Sequence, residues 1–169
     1  MSDQRSIYTF DVCDVHGNII RLKDYRNHII LIVNTASECG FAIQMQELEA
    51  LYQNYRAFGF IVLAFPSDEF NQEPMDNEEI RCSISENQHC HYPIFQKVDL
   101  NGDQAHPLFQ YLTHHLPGIF GSRSIKWNFT KFLIDQHGHP IRRYSPITHL
   151  NVVESDIREL ITQSDQPPQ

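Results

Sequence analysis

Thiols are the residues of this 169-residue chain best suited to covalent chemistry, and there are four: Cys13, Cys39, Cys82 and Cys90. A thiolate attacks the O–O bond of a peroxide, displaces an alkoxide or hydroxide and becomes a sulfenic acid. Cys39 has the setting for that reaction. It lies in Asn34-Thr35-Ala36-Ser37-Glu38-Cys39-Gly40, just past the β-branched run His28–Val33 and just before an amphipathic pattern. A strand followed by a helix puts it at the carboxyl end of a buried strand, where reactive groups of open α/β sheets collect. Unpaired N–H groups and the positive end of a helix dipole favour an anion there. Gly40 lets the backbone approach without a side chain in the way. Position alone is equally compatible with an inert, buried cysteine.

The elements around Cys39 follow from periodicity. Ile7–Val12 and Ile19–Leu22 flank the turn residues Asp14 to Asn18 and read as a hairpin. His28–Val33 does not alternate, which suits a strand covered on both faces. Leu48, Leu51, Tyr52 and Tyr55 recur at helical spacing up to Gly59, and Phe60–Phe65 is a second buried strand ending at Pro66. A helix from Asn77, a strand over Tyr92–Val98 and a helix over Ala105–His115 come next. A hairpin of Phe129–Asp135 and Ile141–Tyr144 and a helix over Val152–Ile161 complete the pattern. These predict a three-layer α/β/α sandwich with a mixed central sheet and an amino-terminal β-hairpin. One domain is expected over residues 1–162, followed by a disordered polar tail over 163–169.

Composition narrows the function. A net charge of −8 without a basic run argues against a nucleic-acid partner. The longest apolar stretch, Ile29–Val33, is too short to span a bilayer, and MSDQRS lacks the pattern of a secretory signal. These point to a cytoplasmic protein with reduced thiols and no membrane partner. His89-Cys90-His91 and His114-His115 are metal-ligand types, but their spacing fits no structural zinc site, so neither metal nor cofactor is expected. Asp68, Glu69, Glu73, Asp76, Glu78 and Glu79 read as a solvated face and a helix start.

Asn34-Thr-Ala-Ser-Glu-Cys39-Gly40-Phe41 resembles the peroxidatic segment of the glutathione peroxidase family. Gly59–Pro66, Gln72-Glu-Pro74, Asn77–Ile80, Tyr92–Phe95, Val98–Gly102, Ala105–Leu108 and Ile125–Leu133 follow in the family's order, so the likeness runs from about Ile7 to Ile161. It implies a thioredoxin-like fold and a peroxidase that reduces hydrogen peroxide or organic hydroperoxides. Cys39 would be the nucleophile, and Trp127 and Asn128 would be N–H donors to the thiolate and the leaving oxygen. The family glutamine is placed at Glu69 in Pro66-Ser67-Asp68-Glu69-Phe70. An ionised carboxylate there cannot donate and would repel a thiolate, unless it is protonated, points away or accepts a proton from the peroxide. The loop after Phe70 is one residue short, so Asn71 or Gln72 could supply the missing amide.

The resemblance also implies a second, resolving thiol in the helix after Asn77-Glu-Glu-Ile80. The family's position is Ile84, so Cys82 is preferred, Cys90 comes next, and Cys13 is structural. The reductant would be thioredoxin acting on a disulfide or glutathione acting on the sulfenic acid. The short Leu116–Ser124 connection resembles that of monomeric members. A non-catalytic redox sensor signalling through a disulfide, and an inert thioredoxin-like binding module, are the alternatives.

Overall fold

In the computed structural model of the protein, which describes residues 5–40, 43–86 and 90–165, the amino terminus folds as its turn residues dictate. β1 (Asp11–Cys13) pairs antiparallel with β2 (Ile19–Arg21). The Asp14 carboxylate accepts from the His16 and Asn18 N–H groups, closing the turn between them. β3 (Ile29–Thr35) is buried at every position. α1 (Gln44–Tyr55) continues as a 3-10 turn to Phe58 and ends at Gly59, whose φ of 82° needs no Cβ. The chain returns as β4 (Phe60–Pro66), parallel to β3 from Ile29↔Phe60 to Thr35↔Pro66.

After α2 (Asn77–Glu86) and α3 (Pro107–His115), β5 (Lys131–Ile134) and β6 (Pro140–Tyr144) form a hairpin, and α4 (Leu150–Ser164) closes the fold. The main sheet has the order β4-β3-β5-β6 and is mixed, since β5 runs antiparallel to both of its neighbours. One face packs Ile29, Leu31 and Val33 against Leu48, Leu51 and Tyr55 of α1 and Val153 and Ile157 of α4. The other packs Ile30 and Ile32 against Leu108, Phe109 and Leu112 of α3 and Val12 of the hairpin. Cover on both faces is why β3 and β4 carry no polar alternation. Each large aliphatic side chain buried in this way contributes roughly 1.5–3 kcal/mol.

Three boundaries differ from expectation. The segment over 92–98 forms no regular strand; it makes isolated bridges, Ile94 to Ala64 and Phe95 to Asp14. Pro93 has no N–H to give, and after Phe95 the chain changes partner: Phe95 N–H donates to the Ala64 carbonyl, but Gln96 N–H donates to the Cys13 carbonyl. No ladder can propagate across that change. α4 runs from Leu150 to Ser164 and so takes in the first two residues of the expected tail; residues 166–169 lie outside the described chain. α1 begins at Gln44, five residues past Cys39, and Phe41 lies outside the described residues.

The β5–β6 turn is tightly packed. Gly138 has φ 80°, and a Cβ there would lie 2.8 Å from Tyr8 Cε2 and 2.9 Å from Tyr8 Cζ. The ring cannot easily yield, because the Tyr8 hydroxyl donates to the Gln136 carbonyl at 2.9 Å. Gly138→Ala is therefore expected to destabilise the fold by about 2–4 kcal/mol, combining left-handed backbone strain with overpacking. Urea unfolding of the variant measures it.

Candidate active site

Three segments meet where β3 and β4 end and β5 begins. The first is the loop that leaves β3 through Ala36–Gly40. The second is Ser67–Glu73, which leaves β4; its Ser67 N–H donates to the Thr35 carbonyl, and its Gln72 carbonyl accepts from Glu38 N–H at 3.0 Å. The third is Trp127–Thr130, which enters β5. Asn34 holds it: the Asn34 side-chain amide donates to the Trp127 carbonyl at 3.1 Å, and the Asn34 backbone carbonyl accepts from Phe129 N–H at 2.6 Å. The Phe70 and Trp127 rings, 5.3 Å apart between centroids, join the second segment to the third.

Cys39 lies in this meeting point with 5% of its surface exposed, between exposed Glu38 and Gly40. It packs in the same apolar cluster as Leu48, Val33 and Phe129. The sulfur is thus more covered than a position at the mouth of a helix implies. Polar side chains lie buried nearby in the chain segments that meet here. Among the described residues, the buried side-chain atoms without a hydrogen-bond partner belong to four residues: Asn34, Gln44, Gln72 and Asn128. Gln72 and Asn128 sit on the converging segments, and Asn34 lies in β3 where it holds the third of them. Asn128 is fully buried with neither its amide nitrogen nor its oxygen satisfied. Buried groups of this kind are destabilising unless something else binds them. Trp127 remains 37% exposed, with its indole available at the surface of the site.

The two glutamates of the second segment, Glu69 and Glu73, have exchanged the roles their sequence suggests. Glu69 does not offer its carboxylate to the site. One oxygen accepts from the Leu100 and Asn101 N–H groups at 2.8 and 3.2 Å, and the other from the Asn101 side-chain amide at 2.6 Å. Of the outcomes open to Glu69, the structure shows a side chain committed elsewhere. Glu73, grouped in sequence with a solvated acidic face, is instead 5% exposed. Its two oxygens accept from Ser37 N–H at 2.9 Å and Ser37 Oγ–H at 2.8 Å, which fixes the backbone two residues before Cys39. Lys97 reinforces the arrangement by donating to the Glu73 and Met75 carbonyls.

All four cysteines are reduced. Cys82 is exposed on α2, and Cys13 is exposed on β1. Cys90 is half-buried beside α1, where desolvation, aided by the nearby Glu49 carboxylate, pushes its thiol up to about 11. That carboxylate is bound by His91, through its N–H at 2.8 Å and its Nδ1 at 2.6 Å. Among the described residues no three His, Cys, Asp or Glu side chains cluster as metal ligands, and no helix is long and apolar enough to cross a membrane. His89 lies outside the described residues.

A cysteine at the carboxyl end of paired parallel strands, in a mixed sheet with helices on both faces, defines a thiol protein of thioredoxin-like fold. A thioredoxin-family thiol:disulfide interchange protein from Chlorobium tepidum has that fold, with a TM-score of 0.67 at 13% identity over 95% of this chain and 99% of its own. The chain belongs to the glutathione peroxidase family, whose profile matches residues 7–113. The glutathione peroxidase homolog BsaA of Halalkalibacterium halodurans is 48% identical over 92% of this chain and 99% of its own length. The hydroperoxy fatty acid reductase gpx1 of Synechocystis is 41% identical over 92% of this chain and 96% of its own length. The crystal structure of Trgpx in apo form gives a TM-score of 0.78 at 34% identity, covering 94% of this chain and 97% of that one. The protein is a peroxidase that reduces peroxide with electrons from a thiol.

The different placements of the two glutamates predict different losses. Glu73→Ala leaves Ser37 without its acceptor and frees the backbone before Cys39, so we expect a stability loss of about 1–3 kcal/mol. Its peroxide rate should fall roughly tenfold, as misplacement of a reacting group implies. Glu69→Gln should lose about 1 kcal/mol of stability at the Leu100–Asn101 turn, with a peroxide rate close to the parent's. Chemical unfolding and initial-rate measurements on both variants check this.

Proposed function

We propose that Cys39 is the sulfur attacked by the hydroperoxide and that Gln72, Trp127 and Asn128 provide the N–H groups around it. The observation that carries this reading is the set of buried, unsatisfied side-chain atoms on two of the converging segments: the Gln72 Oε1, and both the Nδ2 and the Oδ1 of Asn128. In a water-poor site, preoriented donors of this kind stabilise negative charge on sulfur and on the departing oxygen. An amide side chain can present either its oxygen or its nitrogen by turning over, so Gln72 takes the part first expected of Glu69. Glu69 then serves to hold the Leu100–Asn101 turn.

The Cys39 thiolate attacks the distal oxygen of ROOH, the O–O bond breaks, and RO⁻ leaves as ROH after taking a proton. Cys39 becomes a sulfenic acid, two electrons more oxidised. The Cys82 thiol then attacks that sulfur, expelling water and forming a Cys39–Cys82 disulfide, which a dithiol such as thioredoxin reduces. Two observations support Cys82 over Cys90. Cys82 is exposed on α2, whereas the Cys90 thiol, pushed up to about 11, is a poor source of thiolate near neutral pH. Direct reduction of the sulfenic acid by glutathione is the second reading, favoured by the exposure of Glu38 and Gly40 on either side of Cys39. The exposed Trp127 face beside Phe70 offers an apolar wall to organic hydroperoxides, in keeping with the fatty acid substrate named for the Synechocystis relative. We take the enzyme to act as a monomer in the cytoplasm, where its four thiols stay reduced.

A coupled assay with hydroperoxide and either thioredoxin or glutathione tests this. Cys39→Ser should abolish turnover. Cys82→Ser should lose thioredoxin-driven turnover and accumulate the sulfenic acid, and Cys90→Ser should do neither. Peptide mass spectrometry of the peroxide-treated enzyme should show Cys39 bonded to Cys82. Full activity in Cys39→Ser would defeat the assignment, and a disulfide to Cys90 would reverse the choice of resolving thiol.

A further inference from the structure

Lys131 begins β5 opposite Val33 of β3 and Tyr144 of β6, and none of its surface is exposed. Lysine is almost never fully buried unless its charge is paired. Among the described residues Lys131 forms no ion pair, and its Nζ makes one hydrogen bond, donating to the Phe129 carbonyl at 2.7 Å. Burial pushes its ammonium down to about 8, opposed only in part by Glu47 on α1. A methionine of similar length would fill the same space without the cost of desolvating a cation. Core stability therefore does not explain this lysine.

What it holds does. Phe129 has φ 64°, a left-handed conformation that is a true outlier for a bulky aromatic residue. Strain of this sort persists only where the surroundings over-determine it, and it gathers at functional sites. Here three things over-determine it: the ring is fully buried, the N–H donates to Asn34, and the carbonyl accepts from Lys131. The left-handed turn sets the peptide that joins Phe129 to Asn128, and with it the course of the Trp127-Asn128 pair.

We propose that Lys131 is a positioning residue of the peroxidase site, its buried ammonium locking the Phe129 carbonyl and hence the turn that fixes Trp127 and Asn128 at the end of β3. This rests on the assignment of Cys39, Trp127 and Asn128 given above. Lys131 touches neither substrate nor sulfur; it acts through the backbone.

Lys131→Met removes the charge and the donor while keeping side-chain length. Its melting temperature should equal or exceed the parent's, while its second-order rate with hydroperoxide falls about tenfold or more. The fluorescence of Trp127, the one tryptophan in the chain, should shift. Lys131→Gln, which keeps an N–H donor without the charge, should recover part of the rate. A Met variant with the parent's rate and emission overturns the proposal. So does one that fails to fold or melts well below the parent, because the lysine would then serve the core itself. Cys39→Ser separates the two levels: if it remains active, the assignment of the site falls, whereas if it is inactive and Lys131→Met is unimpaired, only the role of Lys131 falls.

Discussion

Asn34, fully buried at the end of β3, ties the entry of β5 to that strand by three contacts. Its side-chain amide donates to the Trp127 carbonyl, its carbonyl accepts from Phe129 N–H, and its N–H donates to the Thr130 carbonyl. The loop to Cys39 starts two residues later. The sulfur and the indole-amide pair are therefore indexed to one residue, and a shift there would carry both away from register. Each of these bonds is worth about 1 kcal/mol net, and a buried partner left unpaired costs more than that. The burial of Asn34 makes the arrangement hard to undo piecemeal.

The flanks of the site differ in firmness. On the β5 side, Phe129 and Lys131 are wholly enclosed by the core. On the β4 side, Glu73 clamps Ser37, and beyond it, among the side chains of α2 that are described, Ile80 is buried whereas Glu78, Glu79 and Cys82 are exposed. Elements with few buried apolar contacts open at low free energy. A peroxidase that forms a disulfide needs one rigid wall to orient the sulfur and one loose element to deliver the second thiol.

Much of this was legible in the sequence, for reasons that can be named. Ile29–Val33 and Phe60–Phe65 announce covered strands because nothing polar interrupts them, and Cys39 follows directly from the first. Trp127-Asn128 could be read from its motif, and the structure sets it at the same end of the sheet. The glutamates could not be sorted in the same way. Which carboxylate meets waiting N–H groups depends on Ser37, 36 residues from Glu73, and on Leu100, 31 residues from Glu69. In a run of acids, nothing local distinguishes the buried one. Lys131 was silent for the opposite reason: a single lysine at the start of an apolar strand looks like a charge at the strand's exposed end. The strand expected over 92–98 failed because one proline and a change of partner at Phe95 break the ladder that propensity alone would extend.

The bridges made by Ile94 and Phe95 have a consequence for how the border of the main sheet is protected. β4 is a border of the main sheet, and its sequence is almost wholly apolar. Left bare, such a border would template pairing between molecules. The 93–96 stretch lies along it, stitched to Ala64 on one side and to Cys13 and Asp14 of the hairpin on the other. The opposite border, β6, carries Pro140, Arg142 and Arg143, which discourage the same pairing by lacking a donor and by charge. Because the guard over β4 is anchored outside α2, the cover of that adhesive border does not depend on the helix.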